Sequence, residues 1–230
     1  MPPASSPAYA GVVFDLDGTL YRQSPLRRRM LVELATSPLR SGPLEAVRSM
    51  RILKVFRQVR EELRELGRPA VSLAELQYRT PAERLGADPG HVRRVVEDWM
   101  FDRPLRHLGP CRRPGTLELL EELRASGLRL GVFSDYPPEA KLAALGLKGM
   151  FDVTLSAVDS SINAFKPHPR GFEVSAQALG LAPAEVLYVG DRADVDGEGA
   201  KAAGMNCSLV GAGKSGGVDD WGEVRSVLSL

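Results

Sequence analysis

Asp15 and Asp17, one residue apart in the stretch VVFDLDGTL that runs from Val12 to Leu20, are the first residues whose types and spacing could do chemistry. Two carboxylates released at the end of an apolar run are costly to leave unpaired, so they ask for a cation, a hydrogen-bond cradle or a shared proton. Mg²⁺ would satisfy them, because hard dications take oxygen ligands. Gly18 can adopt backbone angles closed to bulkier residues, and its N–H, with those of its neighbours, could turn inward to hold an anion. The stretch therefore offers a metal, an anion nest and a nucleophile together. The same residues also suit a strand that ends in a helix N-cap, since Asp, Thr and a DG turn are common there.

Three later stretches carry similar residues. Ser134 ends the run LRLGVFS, where its hydroxyl and the neighbouring N–H groups could hold a phosphate oxygen, or simply cap a helix. Lys166 stands in KPHP, a loop restrained by Pro167 and Pro169, in which a lysine is usually solvated. GDRADVDGEGAKAAG brings Asp191, Asp194 and Asp196 just before an alanine-rich helix. One aspartate there would be a cap, but three carboxylates ask for a cation.

These residues need a scaffold that brings them to one edge. A short β-branched and aromatic run closed by a glycine turn reads as a buried parallel strand, from about Tyr9 to Asp15. After Arg113 strands and helices alternate. The pattern predicts strands in LRLGVFS, MFDVTLSA, EVLYVG and MNCSLV, with helices in TLELLEELRAS, PPEAKLAAL, PRGFEVSAQAL, the segment through GAKAAG, and Trp221 to Leu228. Five such strands imply an α/β fold: a Rossmann-like parallel sheet with helices on both faces, whose ligands bind at the carboxyl ends of the strands. Leu26 to about Asp102 instead keeps helical spacing, with breaks at Ser41 to Pro43, Gly67 to Pro69, Pro81 and Asp88 to Gly90. An all-helical block between strands reads as an inserted domain. The expected division is a core of residues 1–22 and 104–230 with a helical cap of residues 23–103, and a loose Pro- and Ser-rich tail before Tyr9.

Composition narrows the class. With 43% hydrophobic and 26% charged residues over 230, the chain can bury a core and is not a disordered polymer. A formal net charge of +1 gives no global reason to expect nucleic acid or a membrane as partner, and no apolar run is long enough to span a bilayer. The opening MPPASSPAY lacks a basic segment followed by an apolar core, so a cytoplasmic location is expected. Cys111 and Cys207 are far apart without metal-ligand spacing and read as free thiols.

The ordered set resembles the haloacid dehalogenase superfamily of hydrolases, and within it the phosphatase branch with a helical cap of the first type, phosphoglycolate phosphatase-like. DLDGTL with Asp15 and Asp17 matches the family's first motif, Ser134 its second, Lys166 its third, and GD with Asp191 and Asp196 its fourth. The resemblance runs from Val12 to Val210. It implies that Asp15 is the nucleophile and forms an aspartyl-phosphate, while Asp17 protonates the leaving alcohol and later takes a proton from water. It implies Mg²⁺ between the Asp15 carboxylate, the Asp17 backbone carbonyl and Asp191, with Asp196 a supporting or alternate ligand and Asp194 a cap. Ser134 and Lys166, with Gly18 in the anion nest, would bind the transferring oxygens. The expected substrate is a small phosphorylated metabolite, phosphoglycolate-like or a sugar phosphate. Asp17 favours a phosphate ester over a carbon–halogen bond, since a departing halide needs no proton. The alternatives are a phosphomutase of the β-phosphoglucomutase type and a catalytically idle phosphate-binding module.

Asp135 is a departure, because relatives often carry Asn or Gly after the serine. Its carboxylate would either face the substrate and disfavour anionic leaving groups, or face away as a helix cap. The cap should select the substrate. Arg48, Arg51, Lys54, Arg57, Arg60 and Arg64 on its longest helix, with Arg27 to Arg29 before it, read as a solvated face partnered by Glu61, Glu62 and Glu65; in a sharper reading one or two reach an anionic group. Trp99 and Phe101 read as cap core. GAGKS at Gly211 to Ser215 matches the tail of a nucleotide phosphate loop, but Ser208 replaces its first glycine, so it reads as an ordinary loop. His91, His107 and His168 have no ligand spacing and are not needed.

Overall fold

A computed structural model describes residues 9–211 and 221–230. The stretch before Tyr9 and all but the first residue of GAGKS lie outside the described residues. Five parallel strands, β1 (Gly11–Phe14), β2 (Arg129–Ser134), β3 (Val153–Ser156), β4 (Val186–Gly190) and β5 (Asn206–Leu209), form one sheet in the order β3-β2-β1-β4-β5. The central strand β1 registers Phe14 against Val132 on one side and Val189 on the other. Asp15 extends that ladder, its N–H donating to the Val189 carbonyl at 2.8 Å. The chain therefore leaves β1 between the carboxyl ends of its two neighbours.

Strand alternation sends successive side chains to opposite faces. Val12 and Phe14 join Leu130, Val132, Leu187 and Val189 on one face, beneath α6 (Thr116–Ala125), α7 (Glu139–Ala144) and α10 (Gly222–Leu228). Val13, Phe133, Val186 and Tyr188 join Phe172 of α8 (Arg170–Ala178) and Ala200 of α9 (Glu198–Ala202) on the other. Helices thus cover both faces, as the alternating pattern requires. Cys111 and Cys207 are free. Among the described residues no helix is long and apolar enough to cross a membrane.

The segment between β1 and β2 is helical: α1 (Gln23–Ser41), α2 (Pro43–Glu65), α3 (Leu73–Leu85), α4 (Pro89–Val96), a widened π-turn (Glu97–Asp102) and α5 (Arg103–Leu108). Ile52, Leu53 and Phe56 of α2, Tyr78 and Ala82 of α3, three valines of α4 and Trp99 make its own core. Helix α3 runs through Pro81, where the sequence pattern placed a break. Tyr78, Pro81 and Ala82 are all buried there, and packing on both sides of the proline outweighs its missing hydrogen bond. The helical run also continues past Asp102 to Leu108, which belongs with the core cluster rather than the cap's own. Val59, Leu63 and Leu73 leave the cap cluster and pack with the residues of the sheet's second face. The helical segment is thereby seated on the sheet by apolar contact.

Candidate active site

Asp15 is 6% exposed and lies just past β1, where burial leaves it dependent on a few fixed donors. Lys166 Nζ donates to Oδ1 at 2.6 Å and Thr19 Oγ1 to Oδ2 at 3.0 Å. The Lys166 ammonium, itself 2% exposed, also donates to Asp196 Oδ1 at 2.9 Å and to the Tyr188 hydroxyl at 2.7 Å. Three strand-end segments thus meet in one hydrogen-bonded cluster. Burial disfavours the charged lysine, yet Asp15, Tyr188 and Asp196 together hold its proton affinity well above the ordinary value.

Asp196 turns both oxygens inward. Besides Lys166 it accepts from the N–H groups of Asp191 and Arg192 at 3.2 and 3.1 Å, and so pins the turn that presents Asp191. Gly18 lies against that turn at φ +108°, and a Cβ there would fall 2.0 Å from Asp191 Oδ2. The glycine is therefore what lets the Asp191 carboxylate approach the first turn. Buried Arg113 holds the turn itself, donating to the carbonyls of Thr19 at 2.7 Å and Gly18 at 2.5 Å. Asp194 is no cap: its carboxylate pairs with the exposed Arg192 guanidinium at 2.6 Å.

Asp15, Asp191 and Asp196 each offer one oxygen within 4.8 Å of the others. Burial, opposed by Lys166 and reinforced by Asp196 and Asp17, pushes Asp15 up to about 8, and burial with the Asp196 charge pushes Asp191 up to about 6. One lysine does not neutralise this group. An all-oxygen donor set with surplus negative charge fits a hard dication such as Mg²⁺. The Asp17 carbonyl, the further ligand that the resemblance implies, accepts from Gln23 Nε2 at 2.6 Å and retains a second lone pair.

A pH dependence results. The raised carboxyls stabilise the metal-free fold at low pH, and that contribution is lost as pH rises through about 6 and then about 8. A dication held by these carboxylates would compete with those protons. Melting curves should show the metal-free protein losing stability between pH 6 and 8.5 while the upshift by Mg²⁺ grows. A Mg²⁺ upshift that is constant across that range would contradict the assigned ligands.

Asp17 is arranged differently. Its Oδ1 accepts from the Tyr21 hydroxyl and from Lys141 Nζ, the latter at 2.5 Å, while Oδ2 is buried without a hydrogen-bond partner among the described residues. Burial works to raise this carboxyl, but the Lys141 charge and the two hydrogen bonds outweigh it and hold it below the usual range. Ser134 is fully buried, and its Oγ accepts from the Tyr136 N–H at 3.2 Å, closing the turn after β2.

Asp135 does not cap the following helix. Its carboxylate pairs with Arg64 of the cap at 3.0 Å and accepts from the Lys166 N–H at 3.1 Å. Arg48, Arg51, Lys54 and Arg57 are exposed as the solvated-face reading expects, and Arg64 pairs with Glu61 at 3.1 Å as it also expects, but Arg60 is buried and Arg64 reaches inward as well. Arg60 is 3% exposed, lies 4.0 Å from the Tyr136 ring centroid and 4.1 Å from that of Phe165, and donates to Gln77 Oε1 and the Asp135 carbonyl. Arg64 also donates to the Lys166 carbonyl. The two arginines clasp the loops after β2 and β3, and Arg64 finds its inward anionic partner in Asp135. Trp99 is buried in the helical segment's own core as expected, and Phe101 packs against that core while meeting Tyr136 edge-on at 5.6 Å. A cavity of about 380 Å³ opens between cap and core, lined by Gln77, Tyr78, Phe101 and Leu105 on one side and Pro137 and Lys141 on the other.

Lys141, Tyr21, Arg113 and Tyr188 were not legible as site residues. Only Tyr21, four positions after Asp17, had a local spacing that could have suggested it.

The family model for haloacid dehalogenase-like hydrolases matches residues 9–204. The chain is 31% identical over 208 residues to the glyceraldehyde 3-phosphate phosphatase of Methanopyrus kandleri, covering 88% of this chain and 84% of that one. It is 32% identical over 220 residues to the phosphoglycolate phosphatase of Shigella dysenteriae serotype 1, covering 87% and 80%. A crystal structure of a HAD phosphatase from Thermococcus onnurineus superposes with a TM-score of 0.62 at 25% identity, covering 95% of this chain and 97% of that one. With the strand-end carboxylates and lysine gathered in one cluster, this chain belongs to the haloacid dehalogenase-like hydrolase family, and its named relatives are phosphatases.

Proposed function

We propose that the protein is a Mg²⁺-dependent phosphomonoesterase that acts on a small phosphorylated metabolite through an aspartyl-phosphate on Asp15. The observation that carries this reading is the pair Asp15 and Asp17. The first is a buried carboxylate held by Lys166 and Thr19, and the second keeps one buried oxygen free. Asp15 forms a bond to phosphorus as the bond from phosphorus to the ester oxygen breaks, and Asp17 gives that oxygen its proton. Substrate-free Asp17 is ionised, but the negative phosphoryl group beside it raises its proton affinity, and the proton comes with the substrate monoanion or from solvent. Water then attacks the acyl phosphate while Asp17 takes its proton, which returns Asp15 and releases inorganic phosphate.

Lys166 restrains Asp15 and, with the backbone N–H groups around Gly18 and Ser134, binds the transferring oxygens. Asp15, Asp191 and the Asp17 carbonyl would hold Mg²⁺, whose charge would let an anionic nucleophile approach an anionic phosphate. Asp196 supports that site from behind. The cap carries the residues that select the alcohol, with phosphoglycolate, glyceraldehyde 3-phosphate and sugar phosphates the first compounds to try, given the named relatives. Phosphate release from such a panel, with Mg²⁺ and with a chelator, tests the reading. Release that depends on Mg²⁺ and favours one or two compounds is expected; silence on every ester, an aryl phosphate included, would reject it.

A further inference from the structure

Lys141 lies on α7, outside the four strand-end segments, and is 7% exposed. Lysine is almost never buried unless paired, and a buried ion pair is a poor source of stability because desolvation offsets the attraction. What the lysine adds is its contact with Asp17 Oδ1 at 2.5 Å, shared with the Tyr21 hydroxyl, while Oδ2 receives no hydrogen bond from the described residues. A carboxylate is symmetric, so two donors on one oxygen set its plane and the direction of the other. The same lysine forms part of the wall of the cavity between cap and core, the space open to the non-reacting part of a substrate.

We propose that Lys141 is the positioning residue for Asp17: together with Tyr21 it fixes the carboxylate plane so that Oδ2 is presented to the ester oxygen of the departing alcohol. This rests on the phosphatase reading above. A residue that aims the proton donor matters in proportion to how much the leaving group needs a proton. An alkoxide needs one and a nitrophenolate does not. The signature is therefore a leaving-group dependence, which loss of packing alone would not produce.

The experiment compares kcat/KM of the Mg²⁺-saturated full chain on p-nitrophenyl phosphate and on the best alkyl phosphate found for it. Lys141→Met should lose on the order of 100-fold on the alkyl ester and less than about fivefold on the aryl ester. Inhibition by inorganic phosphate should change less than about threefold, because the phosphate-binding groups are untouched. Lys141→Arg should recover much of the loss, and Tyr21→Phe, which removes the other donor, should show the same asymmetry in weaker form. Equal losses on both esters, or none on the alkyl ester, overturn the role of Lys141 and leave the phosphatase reading standing. A wild type active on the aryl ester alone also overturns it, since no alcohol is then being protonated. A wild type inactive on both rejects the two readings together.

Discussion

Asp15→Asn is expected to remove turnover, by on the order of 10⁴-fold or more, while leaving the fold intact. The amide has the size of the carboxylate and keeps an oxygen for Lys166 or Thr19, but it cannot form the covalent bond to phosphorus. The stability side of the substitution runs the other way. Asp15 is pushed up to about 8 by burial, so the metal-free fold favours its uncharged form, and that form is the one asparagine resembles. The wild-type contribution is present at low pH and lost as pH rises through about 8, whereas the variant has no such proton to lose. With chelator, the melting temperature of the variant should therefore gain on the wild type between pH 6 and 8.5. Normal Mg²⁺-dependent turnover by the variant would show that the nucleophile lies elsewhere.

Gly18→Ala should abolish the response to Mg²⁺, weakening apparent affinity by on the order of 100-fold or more, since displacing one ligand costs several kcal/mol. Two independent obstacles meet at this residue. Its φ of +108° is one that alanine rarely adopts, and the added methyl would lie 2.0 Å from Asp191 Oδ2 and 2.6 Å from Asp191 Cγ. Asp191 has little room to yield, because its turn is tied by Asp196 through two backbone N–H groups. Gly127 provides the control. It also has positive φ, at +79°, but none of the described residues lies within 4 Å of its missing Cβ. Gly127→Ala should cost about 1 kcal/mol of stability through the backbone alone and leave the Mg²⁺ titration of activity unchanged. A Gly18→Ala protein with wild-type Mg²⁺ dependence would mean that Asp191 is not a ligand.

The gathering of Asp15, Lys166, Asp191 and Asp196 was legible because of where each stands in the chain. All four come after predicted strands, and parallel strands in one sheet deliver the residues beyond their carboxyl ends to one edge. The sheet itself was legible for the same reason, since apolar runs bounded by turns report on a few neighbouring residues. Asp17 with Lys141 is a different case, for 124 positions separate them and no local pattern links a helix lysine to a turn aspartate.

The sequence by itself determined the strand and helix order, the family, and the carboxylates and lysine at the strand ends. Each of these is encoded within a few residues by periodicity, turn chemistry and charge. Only the tertiary structure decided that Lys141 and Tyr21 hold Asp17, that α3 continues through Pro81, and that Arg60 and Arg64 bind core loops. The physical reason lies in the docking of cap on core. Two surfaces distant in the chain exclude water between them, and a buried lysine, arginine or aspartate must then take whatever partner the opposite surface presents.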